Sequence, residues 1–209
     1  MLTVSTYKMK EKNDLSSYHY GNLRETLLIK GLELLESSQT AEFSMRELTR
    51  MIGVSANAVY RHFSNKDQLL TALAIQGFQK LLEAQALAIH DAPNGIQGFL
   101  LAARQYLDFA LQNPMLFRLM YGRFVVSHED ETLKSYSELA YQGILYSAAS
   151  ALNLSTESSE AKILSIKAWS AIHGLSNLLI DGQFDDLSSS EREEMIWQVL
   201  NSLHPFEYK

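Results

Sequence analysis

Three helix starts and one helix stop crowd into residues 44–66, SMRELTRMIGVSANAVYRHFSNK, and leave room only for short helices joined by tight turns. Ser44 with Glu47 three residues on reads as a capping box, in which the hydroxyl takes the Glu47 amide and the Glu47 carboxylate takes the Ser44 amide. The helix begun there should stop at Gly53, the residue able to adopt a left-handed C-cap. Val54 then enters the core and Ser55 caps a third helix. Ser64 with Asp67 repeats the start signal for a fourth.

Upstream, Leu23, Leu27, Leu28, Leu32, Leu34 and Leu35 recur at three- and four-residue spacing between charged residues, which predicts an amphipathic helix over 21–37. The polar break Ser37-Ser38-Gln39-Thr40 ends it. Helices of about 17, about 8 and about 8 residues, the last two joined through a glycine, make a helix-turn-helix. On the third helix, counting about 100° per residue from Val59 puts Phe63 at about 40°, Ala56 at about 60°, Asn57 at about 160° and Arg61 at about 200°. Val59 and Phe63 therefore face the core; Asn57 and Arg61 face out.

An exposed Asn and Arg on a helix are most often a solvated face. They are also the chemistry of a major-groove reader, since Asn bonds an adenine edge at two points and Arg does the same with guanine. Tyr60 and His62 flank that face where phosphates would run, and Lys66 with the free amides at the start of the fourth helix suits another phosphate. The two capping signals and the glycine turn beside them favour the second reading.

Charge is distributed in the same sense. Residues 1–66 hold nine Lys or Arg against seven Asp or Glu, and residues 67–209 hold nine against seventeen, so the net −6 hides a mildly basic head on an acidic body. The chain has no cysteine, hence no disulfide framework and no thiolate chemistry. There is no uninterrupted apolar run of about 18 residues, and MLTVSTYKMKEKNDLSS lacks the apolar centre of a signal peptide. The expectation is a cytoplasmic protein, neither membrane-spanning nor exported.

Enzyme readings find little support. His128-Glu129-Asp130 has no histidine partner four residues on and falls in an expected loop, so no metal site is expected there. No glycine-rich phosphate loop follows a strand, no nucleophile-elbow spacing occurs, and no cofactor is expected.

Residues 19–70, through HYGNLRETLLIKGLELL and FSMRELTRMIGVSANAVYRHFSNKDQLL, resemble the DNA-binding domain of the TetR family of transcriptional regulators. The glycine-valine-serine turn, the Tyr-x-His-Phe end of the third helix and the following Asn-Lys stand together at the family's spacing. The resemblance implies an all-α homodimer with a DNA-reading domain at residues 19–66, a flexible arm before it at 1–18, and an effector-binding and dimerisation domain at 67–209. It implies that Arg46, Ala56, Asn57 and Ala58 reach bases, joined by Arg61, and that Ser44, Ser55, Tyr60, His62 and Lys66 hold phosphates. Thr49 and Ile52 stand where the family often has alanine, a departure that would tilt the second helix.

Downstream, periodicity predicts helices at 67–90, 95–112, from Pro114 with Asn113 as N-cap, from the 127–131 loop to Leu152, at 157–181 and at 189–202. Tyr106, Phe109, Met115, Phe117, Met120, Tyr121, Tyr141, Tyr146 and Trp169 are either plain core or the lining of a cavity. The stretch KAWSAIHGLSNLLIDGQF is similar to the Trp-x-x-x-His-Gly segment of one C-terminal subclass of the family. It sets Trp169 and His173 one turn apart on one face, with Gly174 open to close helix contact. Tyr106, Phe109, Met120, Tyr121, Tyr146, Trp169 and His173 are thus the candidate effector residues, with a satisfied core histidine beside a packing tryptophan as the plainer alternative.

The expected function is a repressor that binds a pseudo-palindromic double-stranded operator as a homodimer through its last two long helices, released by a small apolar or amphipathic effector. Its rivals are an activator or a protein-controlled regulator of the same fold, and a helical hydrophobe-binding module that does not read DNA.

Overall fold

The computed structural model describes residues 22–38, 43–122 and 130–204, and among them there is no strand. In chain order the helices are α1 (Leu23–Ser37), α2 (Met45–Ile52), α3 (Ala56–Tyr60), α4 (Lys66–His90), α5 (Gly95–Gln112), α6 (Pro114–Tyr121), α7 (Glu131–Leu152), α8 (Ser159–Ile180) and α9 (Ser189–Asn201). The arm expected at 1–18, and His128 with Glu129, lie outside the described residues. Asp130 is described, and its carboxylate caps α7 at the Leu133 amide.

The punctuation in residues 44–66 folds largely as its chemistry requires. Ser44 and Glu47 form the reciprocal capping box, and Gly53 ends α2 at φ 76°, in the left-handed region that a side chain disfavours. Ser55 caps α3 by accepting from the Ala58 amide.

Two expectations shift. The cap of α4 is Asn65 rather than Ser64: its carbonyl accepts from the Gln68 amide at 2.9 Å, while the Gln68 side chain accepts from the Ser64 amide at 2.9 Å. Asn and Ser are comparable N-caps, and the Gln68 side chain reaches past the Asn65 cap to the amide of Ser64. The third helix is also shorter, five residues instead of about eight. Arg61 still has helical dihedrals as its C-cap, but Phe63 is drawn into the core and the chain turns at once into α4.

The head, α1 to α3, closes on Leu27, Leu35, Leu48, Val59 and Phe63, all buried. Its core is continuous with that of the body, because α4 supplies Leu69, Leu70 and Leu73 at one end and Phe78 and Leu81 further along. Each such side chain stabilises by about 1.5–3 kcal/mol when removed from water. Within the body α5 is central, packed against α4, α6, α7, α8 and α9. α8 is long and apolar enough to cross a membrane. Leu164, Ala168, Ile172, Leu175 and Leu179 on it sit in the shared core, while Ile163, Ile166 and Leu178 are exposed.

Candidate nucleic-acid interface

The α2–turn–α3 unit presents one polar surface. Val59 is fully buried and Phe63 nearly so, and this anchoring turns Asn57 and Arg61 to solvent as the helical spacing predicted. Ala56, Arg46 and His62 are exposed with them, and Tyr60 is 48% exposed although aromatic. The alanines diverge: Ala56 stands out, whereas Ala58 is half-buried and packs against the core. Its methyl group supports the helix from within, so only its backbone edge is near the outward face.

The residues assigned to phosphates also differ among themselves. The Ser44 and Ser55 hydroxyls are engaged in their helix caps, that of Ser44 donating in turn to Glu47 Oε2 at 3.0 Å. The Ser44 amide, with help from its hydroxyl, holds the exposed Glu47 carboxyl below the usual carboxylate range. Lys66 is half-buried, its ammonium 4.9 Å from the centre of the Phe43 ring, a cation–π contact between the start of α4 and the lead-in to α2. Arg24 on α1, in the sequence pattern only a polar spacer between leucines, holds its guanidinium 5.4 Å from the centre of the Phe63 ring. It adds a cation beside α3 that no local spacing announces.

In the body, four of the seven candidate effector residues come together. Tyr106 Oη lies 2.8 Å from His173 Nδ1 and 3.3 Å from Trp169 Nε1. The indole can only donate, so the phenol oxygen accepts from it, and the direction of the bond between the phenol and Nδ1 follows the tautomer of the imidazole. Tyr121 meets His173 edge to face with centroids 5.0 Å apart and lies tilted against Trp169 at 6.3 Å, and Phe117, outside the predicted set, lies tilted against His173 at 5.2 Å. Met120 is buried on the same short helix, but its sulfur is turned to Gly77 of α4. Burial raises the Tyr106 phenol, with the Tyr121 phenol adding to the effect, and pushes Tyr121 up to about 12. Burial lowers His173. All four polar side chains are therefore uncharged near neutrality.

Phe109 and Tyr146 also stand apart from this cluster. Phe109 is buried one turn along α5 in the general core, and Tyr146 is 61% exposed, lining a surface groove with Leu82, Leu139 and Gly143. Tyr141, five residues before Tyr146 and about 140° from it round α7, makes the contact with Trp169 instead, with centroids 6.1 Å apart. The pocket lined by Tyr106, Trp169, Phe99 and Ser147 measures ≈ 30 Å³. That is room for a water molecule or two, against about 300–1,000 Å³ for a drug-sized ligand. A methyl group at Gly174 would meet nothing within 4 Å, so the close contact expected there is not made inside the chain.

Residues 27–73 match the family described as bacterial regulatory proteins, tetR family, and residues 99–203 match the tetracyclin repressor-like C-terminal domain. The nucleoid occlusion factor SlmA of Aliivibrio fischeri is 30% identical over 115 residues, 54% of this chain and 58% of that protein. An HTH-type transcriptional regulator of Mycobacterium tuberculosis is 31% identical over 105 residues, 47% of this chain and 45% of its own length. The chain thus spans about half the length of the curated relatives it matches. Among solved structures, a protein of unknown function from a Rhodococcus species aligns with TM-score 0.74 at 26% identity, covering 90% of this chain and 98% of that one. A TetR/AcrR family transcriptional regulator from Thermobifida fusca aligns with TM-score 0.69 at 14% identity, covering 90% and 99%.

Proposed function

The chain belongs to the TetR family of DNA-binding transcriptional regulators, which are not enzymes, and from that premise we propose that it is a homodimeric repressor released by a small effector. The observation that carries the reading is the exposure of Asn57 and Arg61 above the buried Val59 and Phe63. Bidentate-capable side chains are there held on a rigid support, which is what base reading in a major groove needs. Asn57, Arg61, Arg46 and Ala56 take the bases in this reading, with Ala58 beneath them. Tyr60, His62 and Lys66 take phosphates, and Ser44 and Ser55 contribute chiefly by fixing the helix starts. The division into an arm (1–18), a reading domain (19–66) and a body (67–209) is part of the proposal.

Dimerisation through the last two long helices draws its support from α8. Ile163, Ile166 and Leu178 are exposed on it at helical spacing, and Gly174 lies open along the same stripe. On α9 the exposed residues, Glu194, Gln198 and Asn201 among them, are all polar, which suits a polar margin beside the α8 seam. Two reading heads related by a two-fold axis require a pseudo-palindromic site with half-sites about one helical turn, or a multiple, apart. A protein with this task works where the chromosome is, in the cytoplasm.

The effector reading rests on the Tyr106–His173–Trp169 cluster. A cavity of ≈ 30 Å³ holds no effector, so binding requires these side chains to part, and an amphipathic molecule that replaces their hydrogen bonds while filling an apolar space suits them. The test of the whole reading is binding to duplexes selected from randomised DNA, measured against salt. Selection of a two-fold sequence with a steep salt dependence supports it; equal, weak binding to every duplex overturns it.

A further inference from the structure

One side chain of the head makes two hydrogen bonds to backbone of the body. The Glu36 carboxylate, near the C-terminal end of α1, accepts from the Leu116 amide at 2.9 Å through Oε1 and from the Met115 amide at 3.2 Å through Oε2. These are among the orphan donors at the start of α6. Asn113, the residue expected to cap them, makes no side-chain cap and instead donates its Nδ2 back to the Phe109 carbonyl at 3.0 Å. Pro114 has no amide to offer. The helix is capped from another part of the fold, and by a charge that its dipole favours.

We propose that Glu36 is a positioning residue that couples the body to the reading head: its carboxylate makes the seating of α6 and the placement of α1 a single event. The proposal rests on the reading of this chain as a regulator whose body controls its head. α6 is built to carry such a signal. Its Phe117 and Tyr121 lie against His173, inside the cluster that an effector has to open. Arg118 pairs with Asp181 at the end of α8. Opposite, α4 receives α6 at Gly77, where an added methyl group would come within 2.5 Å of Met120 Sδ and 3.2 Å of Leu116 Cγ.

With α4 and α8 on its flanks and Glu36 at its end, α6 cannot shift by about 1 Å without taking a 2.9 Å hydrogen bond out of range. A half-buried carboxylate stripped of its amides is strongly disfavoured, so α1 must follow or the bond must break. Either way the movement reaches α1, on which α2 packs.

The test uses the full chain in two arms. Without DNA, amide exchange is followed in α1, α2 and α3 after Phe117→Leu, which removes a ring from His173 and keeps the site apolar. The expected result is a change of about fivefold or more in head exchange rates when Glu36 is present, lost in the Glu36→Ala background and partly restored by Glu36→Gln, whose one carbonyl oxygen still accepts an amide. Equal head responses with and without the carboxylate, or no head response in the parent, overturn the proposal. If Glu36→Ala loses its helical circular dichroism, Glu36→Gln carries the comparison, and an undiminished response in it is equally fatal.

The second arm places Trp169 as sole tryptophan through Trp197→Phe and adds the selected duplex. Trp169 emission should change in the parent and stay constant in Glu36→Ala at saturating DNA; the same change in both overturns the coupling. A parent that binds no duplex sinks the DNA-binding reading, and the exchange arm alone then decides the role of Glu36.

Discussion

The hydroxyl of Tyr106 on α5 and Nδ1 of His173 on α8 lie 2.8 Å apart, joined across the body by a hydrogen bond. Trp169, one turn before His173, donates to the same oxygen. Three side chains from two helices therefore share one buried polar centre, surrounded by the rings of Phe117 and Tyr121. Each partner is satisfied by the others, so perturbing one leaves a desolvated group behind.

The first consequence is a pH dependence. Burial lowers His173 from 6.5, so between that value and its folded value the unfolded chain binds more protons and stability rises with pH. The contribution is whole above pH 6.5 and is lost as pH falls through this window. Thermal melts from pH 8 to 5 should show the parent losing stability below pH 6.5 and His173→Gln losing less. Parallel curves for the two proteins would refute a His173 origin.

Asn57→Ala should cost roughly 1–3 kcal/mol on the selected duplex and much less on unrelated DNA, flattening preference at one position per half-site. Competition binding against single-base variants of the duplex measures this. Unchanged base preference would return Asn57 to an ordinary solvated position.

Lys66→Gln should weaken binding to all duplexes alike and make the salt slope shallower by about 0.9 for each phosphate it no longer neutralises, twice that in a symmetric dimer. Because Lys66 also stands over Phe43, circular dichroism has to show an intact head before the slope is read. A change in base preference with the slope preserved contradicts a phosphate role.

Gly53→Ala isolates a backbone effect. No atom lies within 4 Å of the added methyl, so only the left-handed φ of 76° resists it, and about 1–2 kcal/mol of stability should be lost. Denaturant titration gives the number; a neutral or stabilising result would mean that the turn relaxes to a different conformation.

Ile166→Glu puts a charge on the exposed stripe of α8, where the folded single chain makes no demand for an apolar residue. Sedimentation should show a dimeric parent and a monomeric variant of the same helicity, with DNA affinity falling as two heads become one. A variant that stays dimeric moves the interface away from α8.

Where helices begin and end was mostly legible in the sequence, because caps are local chemistry. Ser44 reaches Glu47, Ser55 reaches Ala58 and Gly53 takes its φ whatever the distant chain does. The same holds for the face of α3, since Val59 sets its inward side by spacing, with Phe63 just past its end buried beside it. The one-residue slip at the start of α4 arose because Ser64 and Asn65 are both good caps, and only the reach of Gln68 separates them.

What tertiary structure decided are the pairings between residues far apart in the chain. No spacing tells that Tyr106 meets His173, that Arg24 lies against Phe63, that Tyr141 rather than Tyr146 contacts Trp169, or that α6 is capped by Glu36 instead of Asn113. Helical periodicity gives each side chain a direction from its own axis. Which side chain it meets there depends on how the axes cross, and that is fixed by the packing of all nine described helices at once.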